Sequence, residues 1–198
     1  MIYLDNAATT KTAPEVVAAM LPYFTEQYGN PSSIYSFASE SKKAMEEARQ
    51  VIAAGIGAEP GEIYFTSGGT ESDNTAIFGT AASGKRQGNR IITTNVEHPA
   101  VLEAMKRLEE EGYDIVRVPV DADGGVSAEA IFDAVNEKTI LISVMRVNNE
   151  SGMVMPIPEI AARKEQYNRE HGTGILFHTD AVQAFGKMKM PAPGVDLV

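Results

Sequence analysis

The sequence predicts an α/β fold in three layers, with helices covering both faces of a mainly parallel sheet, and three observations carry that expectation. Strand-like apolar runs alternate with helical periodicity from residue 62 to residue 179. The boundaries between them carry physical markers, with Pro99 opening a helix, Gly112 closing one, Ser127 at an N-cap and Gly172-Thr173-Gly174 between the last helix and strand. The 198 residues, 43% of them hydrophobic, suffice to bury the core of one large domain.

Taken in order, Ile2 to Thr10 reads as a strand or extended arm running into a loop. Thr12-Ala13-Pro14-Glu15 has capping-box spacing, and the helix it opens would bury Val17, Met20, Leu21, Phe24 and Tyr28, with Pro22 as a kink or early end. Gly29-Asn30-Pro31-Ser32-Ser33 breaks the pattern before a longer helix over 34–54, stopped by Gly55 and Gly57. The alternation then gives strand 62–66, helix 70–81, strand 90–94, helix 99–111, strand 114–118, helix 127–135, strand 139–147, helix 158–170 and strand 174–179. Residues 83–89 form a surface loop, and Asp121 to Gly125 is a turn too short for a calcium loop.

Composition removes several function classes. A net charge of −10 without a dense basic run argues against nucleic acid and anionic membrane surfaces as partners. The absence of cysteine excludes disulfides and thiolate metal sites and makes the reducing cytosol the default compartment; no metal site is expected. No apolar run reaches a membrane span, and Met1 to Asp5 lacks the basic start of a signal peptide.

Chemistry concentrates at the strand ends, where open parallel sheets bind ligands. Phe65 to Asn74 passes from a strand through Gly68-Gly69 into a helix whose first-turn N–H groups and dipole suit a phosphate, with spacing that fits neither nucleotide fingerprint. Further strands end in Asn95-Val96-Glu97-His98, in Asn148-Asn149-Glu150, and in His178-Thr179-Asp180 with Gln183. Each alone also reads as cap or turn chemistry. Together they suit a phosphorylated aromatic cofactor. Gly69 and Thr70 would hold the phosphate, His98 would lie against the ring, Asp180 would pair with a pyridinium nitrogen, and Asn149 and Gln183 would bond a phenolic oxygen. That description is pyridoxal 5'-phosphate.

At Tyr3 to Thr10, Gly29 to Ser33, Thr66 to Asn74, Glu97-His98, Val147 to Glu150 and His178 to Gln183, the sequence resembles the successive motifs of cysteine desulfurases, in the class V aminotransferase group of fold type I pyridoxal-phosphate enzymes. The resemblance runs in order from residue 3 to about 189. It implies the same assignments: Gly69 and Thr70 on the phosphate, His98 and Asp180 as the catalytic ring contacts, and Asn149 and Gln183 on the ring oxygen. It further implies L-cysteine as substrate, alanine as product, sulfur passed to an enzyme persulfide, a homodimer and a sulfur-acceptor protein, with iron–sulfur cluster assembly or tRNA thiolation both open as destinations. The domains expected are an N-terminal arm over 1–13 and an incomplete pyridoxal-phosphate-binding large domain over 14–198, without the smaller C-terminal domain.

The departures are also informative. Tyr35 stands where the family usually has His, Ala38 where it has Gly, and residues 163–173 look longer than the usual connection, as an extended helix or surface loop. Gly194 to Val198 resembles the strand that leads to the family's cofactor-binding lysine, and neither Lys187 nor Lys189 matches that residue. With that lysine, the nucleophilic cysteine and the substrate-binding arginine all outside these residues, the expectation is an N-terminal half that is inactive alone. Selenocysteine lyase or another class V pyridoxal-phosphate enzyme, or a non-catalytic fragment that binds pyridoxal phosphate or phosphate, are the alternatives.

Overall fold

A computed structural model describes residues 2–190 and 193–198. They group into two compact units, Met1–Phe65 and Thr66–Val198.

The first unit is helical. Helix α1 spans Pro14–Met20, α2 spans Pro22–Thr25 and α3 spans Ser39–Ile56, with 3-10 turns at Ser36–Ala38 and Pro60–Glu62. Pro22 divides the first helical segment as its missing N–H requires. Two sequence expectations fail here. The N-cap of α1 is Ala13, without a side-chain cap, because Pro14 supplies the helical φ one residue later than the Thr12 spacing implied. The face predicted to be buried is exposed: Val17, Met20, Leu21, Phe24 and Tyr28 are each at least 43% accessible. Helical periodicity marks a face built for burial but does not supply the surface that covers it. Gly57, at φ 70°, closes α3 in the left-handed conformation and donates its N–H to Ala53.

Residues 62–66 do not form a strand. Pro60–Glu62 is a 3-10 turn, and Ile63 to Thr66 runs extended without a ladder partner among the described residues. A strand exists only through pairing. Arg49 takes the place of that partner in part: its guanidinium donates to the Ile63 carbonyl and lies 4.9 Å from the Phe65 ring centroid. The N-terminal stretch is likewise no strand; Ala8 and Thr9 donate to the Asp5 carbonyl in a turn.

The second unit carries the sheet. Strands β1 (Arg90–Thr94), β2 (Asp114–Val118), β3 (Thr139–Ser143) and β4 (Leu176–His178) lie in the order β2-β1-β3-β4, every pairing parallel. Helix α4 (Gly69–Gly84) precedes β1, and α5 (Pro99–Glu110), α6 (Ala128–Asp133) and α7 (Ile157–His171) connect the strands. Alternation along the strands sends successive side chains to opposite faces. Ile91 and Leu141 pack with Ile77 of α4 and Val101, Met105 and Leu108 of α5. Ile92, Ile142 and Phe177 pack with Ile131 of α6 and Ile157 and Ile160 of α7. This is the predicted three-layer α/β/α arrangement.

β1 and β2 match their predicted bounds, while β3, β4 and α6 are shorter than expected. Beyond Ser143 the chain leaves the ladder and folds into a hairpin bridged antiparallel at Val147 and Val154. The residues expected as a long connection after 163 are the end of α7, which Gly172 closes at φ 65°. Lys164 on α7 is 1% exposed and reaches Asp196 at 2.8 Å, whose Oδ2 also accepts the Phe177 N–H at 2.7 Å. Replacing Lys164 with methionine strands that carboxylate, which is one-third exposed. Urea denaturation should show a loss of about 2 kcal/mol, below the ~3–5 kcal/mol typical of breaking a fully buried pair.

Candidate functional site

The predicted site residues lie at the carboxyl edge of the sheet, on connections that the core holds in place. Gly68 is extended and caps α4, so the first-turn N–H groups at Gly69 and Thr70 have no carbonyl one turn back to bond. A Cβ on Gly69 would stand 3.0 Å from the Val182 side chain, which brings the start of α4 against the segment carrying Asp180 and Gln183. Glu71 reaches back to accept both the Ser67 N–H and its hydroxyl at 2.6 Å, and these bonds hold its carboxyl below the usual range. Gly69→Ala should leave thermal stability within about 1 kcal/mol, because Val182 is exposed and can yield, yet weaken phosphate binding about tenfold by narrowing the cradle. Competition by inorganic phosphate, followed by calorimetry, reads this directly.

His98 is the N-cap of α5, its Nδ1 accepting the Ala100 N–H at 3.1 Å. The cap reading of this histidine and the ring-contact reading are compatible. The bond fixes the imidazole and, in the neutral ring, leaves the proton on Nε2. Asp180, 8% exposed, follows β4; its Oδ1 accepts the Val182 N–H at 2.9 Å. Burial pushes its carboxyl up against the opposing Val182 bond, and the nearby Asp73 adds to the upward push.

Asn149 sits half-buried in the turn after β3 and makes no hydrogen bond among the described residues. Its neighbour Asn148 organises that turn, donating to the Val96 carbonyl at 3.0 Å and accepting the N–H groups of Glu150 and Ser151. Gln183 accepts from Lys187 at 3.1 Å. A cavity of about 280 Å³ lies over α6 and α7, and one of about 310 Å³ is lined by Arg146, Lys189 and Thr179, the residue before Asp180.

Several polar residues behind the edge carried no sequence assignment. Glu97, 4% exposed, accepts the Thr94 hydroxyl at 2.7 Å and the Met145 N–H at 3.0 Å, tying the ends of β1 and β3 together; burial pushes it up to about 7. Asp73, Ser143 and His178 are also buried. The signal available for His178 was strand alternation, which puts it on the face opposite Phe177.

Chain, fold and edge define a class. A family model described as aminotransferase class V matches residues 2–198, and the chain belongs to that family. Its similarities are more specific. Cysteine desulfurase IscS of Clostridium botulinum is 47% identical over 196 residues, covering 99% of this chain and 48% of the relative. A solved structure of a NifS-like protein superposes with a TM-score of 0.88 at 38% identity over 96% of this chain and 51% of its own. One described as SspA in complex with cysteine does so with a TM-score of 0.87, also at 38% identity, over 95% of this chain and 52% of its own. The chain thus spans about half the length of the relatives it matches.

Proposed function

We propose that these residues form the cofactor-binding part of a pyridoxal-phosphate-dependent cysteine desulfurase, with residues 14–198 belonging to its large domain. The observation that carries the reading is the close approach of the glycine at the start of α4 to the segment bearing the buried Asp180. That approach supports a reading in which a helix end suited to an anion and a carboxylate serve one ligand, a cofactor with a phosphate at one end and a basic ring nitrogen at the other. The neutral donors of Asn149 and Gln183 complete a set that fits such a ring.

Bound there, pyridoxal phosphate supplies an electron sink through its protonated ring nitrogen. The chain's own residues do the rest. Gly69 and Thr70 hold the phosphate with backbone N–H groups and the helix dipole. Asp180 keeps the proton on the ring nitrogen by offering it a desolvated negative charge. His98, fixed by its bond to Ala100, would lie against the ring face. Asn149 and Gln183 orient the ring through its oxygen.

L-cysteine as substrate is supported by the relatives' names and by the cysteine in the SspA structure, and we extend the reading to a sulfur-acceptor protein as partner. The sequence holds no cysteine, so the thiol that would take the sulfur lies outside these residues. We extend the reading to a homodimer in the cytosol. Among the described residues no helix is long and apolar enough to cross a membrane. The test has two arms. Pyridoxal phosphate titrated into the 198-residue chain should bind in competition with inorganic phosphate. The protein as its source cell makes it should release alanine from L-cysteine, and binding without alanine release would leave the non-catalytic reading standing.

A further inference from the structure

Thr179 is a buried polar residue that neither the cofactor contacts nor the core packing accounts for. It is 1% exposed, and its hydroxyl has no hydrogen-bond partner among the described residues. Strand alternation puts its side chain on the Phe177 face of the sheet, toward α7, where it lines the cavity of about 310 Å³. Arg146 and Lys189 line the same cavity, and among the described residues no acidic side chain does. Arg146 is half-buried and donates from Nη1 to the Met155 carbonyl at 3.0 Å, its one side-chain hydrogen bond among the described residues. Lys189 makes no ion pair there with any described carboxylate. The first residues of α7 form part of the wall, and its N-cap, Pro156, supplies no side-chain cap. The rest of the wall is apolar, with Ile157, Met190 and Val195 in it.

We propose that this cavity is a second binding site, for a small carboxylate carrying an apolar tail. Two cationic side chains converge on it in a chain whose net charge is −10, and an anion is the ligand that answers them. The guanidinium of Arg146 has N–H groups beyond the one given to Met155, and its planar fork matches a carboxylate. A buried hydroxyl without a partner is costly, and a carboxylate oxygen is an acceptor that would relieve Thr179. The uncapped start of α7 adds the positive end of its dipole. The apolar walls select the tail, because an ion such as inorganic phosphate meets the same cations but leaves Ile157, Met190 and Val195 uncovered. The volume suits a small molecule. The site rests on no assignment of the cofactor: Thr179 faces α7, whereas the phosphate cradle opens α4. Its nearest link to the cofactor edge is backbone, since the Arg146 N–H donates to the Asp180 carbonyl at 2.8 Å.

The experiment titrates hexanoate into the 198-residue chain labelled at its methionine methyl groups and follows Met190 by NMR. The Met190 signal should move saturably, with half-saturation at about 1 mM or below. Hexanol, which lacks the charge, and acetate, which lacks the tail, should each need at least about tenfold more. Arg146→Gln should weaken hexanoate about tenfold, as loss of hydrogen bonds to a charged group implies. Thr179→Val keeps the shape and removes the hydroxyl; it should weaken hexanoate about threefold while the melting temperature holds or rises. A threonine that served packing alone would leave the affinity in place. Absence of a saturable Met190 shift overturns the proposal, as does hexanol binding as tightly as hexanoate. Unchanged affinity in folded Arg146→Gln overturns it too; if that variant does not fold, unchanged affinity in Thr179→Val does so. Inorganic phosphate displacing hexanoate at equal concentration would overturn the carboxylate in favour of a phosphate. None of these outcomes bears on pyridoxal phosphate, whose binding is read separately.

Discussion

Replacing Asp180 with alanine is expected to weaken pyridoxal phosphate binding by about 10- to 100-fold, as loss of a hydrogen bond to a charged partner worth about 1.5–3 kcal/mol implies. The fold should survive, because Asp180 supports little beyond its own turn, accepting one N–H from Val182. Burial and Asp73 push its carboxyl up, so in the folded chain ionised Asp180 is a cost, relieved when a cationic ring nitrogen faces it. The sign follows. Its contribution to stability is fully present below its unfolded pKa and diminishes as pH rises through the folded one, so Asp180→Ala should be relatively more stable at pH 8 than at pH 4. In the complete enzyme the loss of an electrostatic group at the reacting ring should lower kcat by about 10²–10³-fold. Cofactor absorbance, thermal melts and turnover measured together check this; unchanged cofactor spectra and turnover in a folded Asp180→Ala would exclude Asp180 as the ring-nitrogen partner.

Glu97→Gln should produce the largest change in pH-dependent stability. Burial raises Glu97 from 4.5 to about 7, so the folded chain binds a proton there that the unfolded chain releases. The contribution is complete below pH 4.5 and is lost as pH rises through 7. A shift of this size corresponds to about 3 kcal/mol. Glutamine keeps an oxygen to accept from Thr94 and from Met145, the two bonds that tie β1 to β3, and carries no charge to desolvate. Urea denaturation at pH 5 and pH 8 should therefore show the native chain losing about 2–3 kcal/mol relative to Glu97→Gln over that interval. An equal difference at both pH values would show that Glu97 ionises as an ordinary surface carboxylate.

Legibility followed the range of the interactions involved. β1 and β2 were readable to the residue because each is an apolar run between turn signals, and each lies in a sheet whose two cores cover both faces. Ser127 was readable as a cap because its hydroxyl bonds the N–H of Ala130 three residues on. Residues 62–66 misled because their strand-like pattern states a preference and pairing states a fact. The exposed face of α1 misled for the same reason.

By itself the sequence determined the alternating architecture and the family, and it proposed as contacts His98, Asn149, Asp180 and Gln183, which follow strands whose ends share one sheet edge, with Gly69 and Thr70 at the start of a helix. Only the tertiary structure decided what stands behind them. That Glu97 spans from β1 to Met145, and that His178 joins Ser143 to Asp73, depends on β3 lying between β1 and β4 and on α4 covering that face. Burial and the neighbours of a charge set its chemistry, and both are properties of packing between residues distant in the chain.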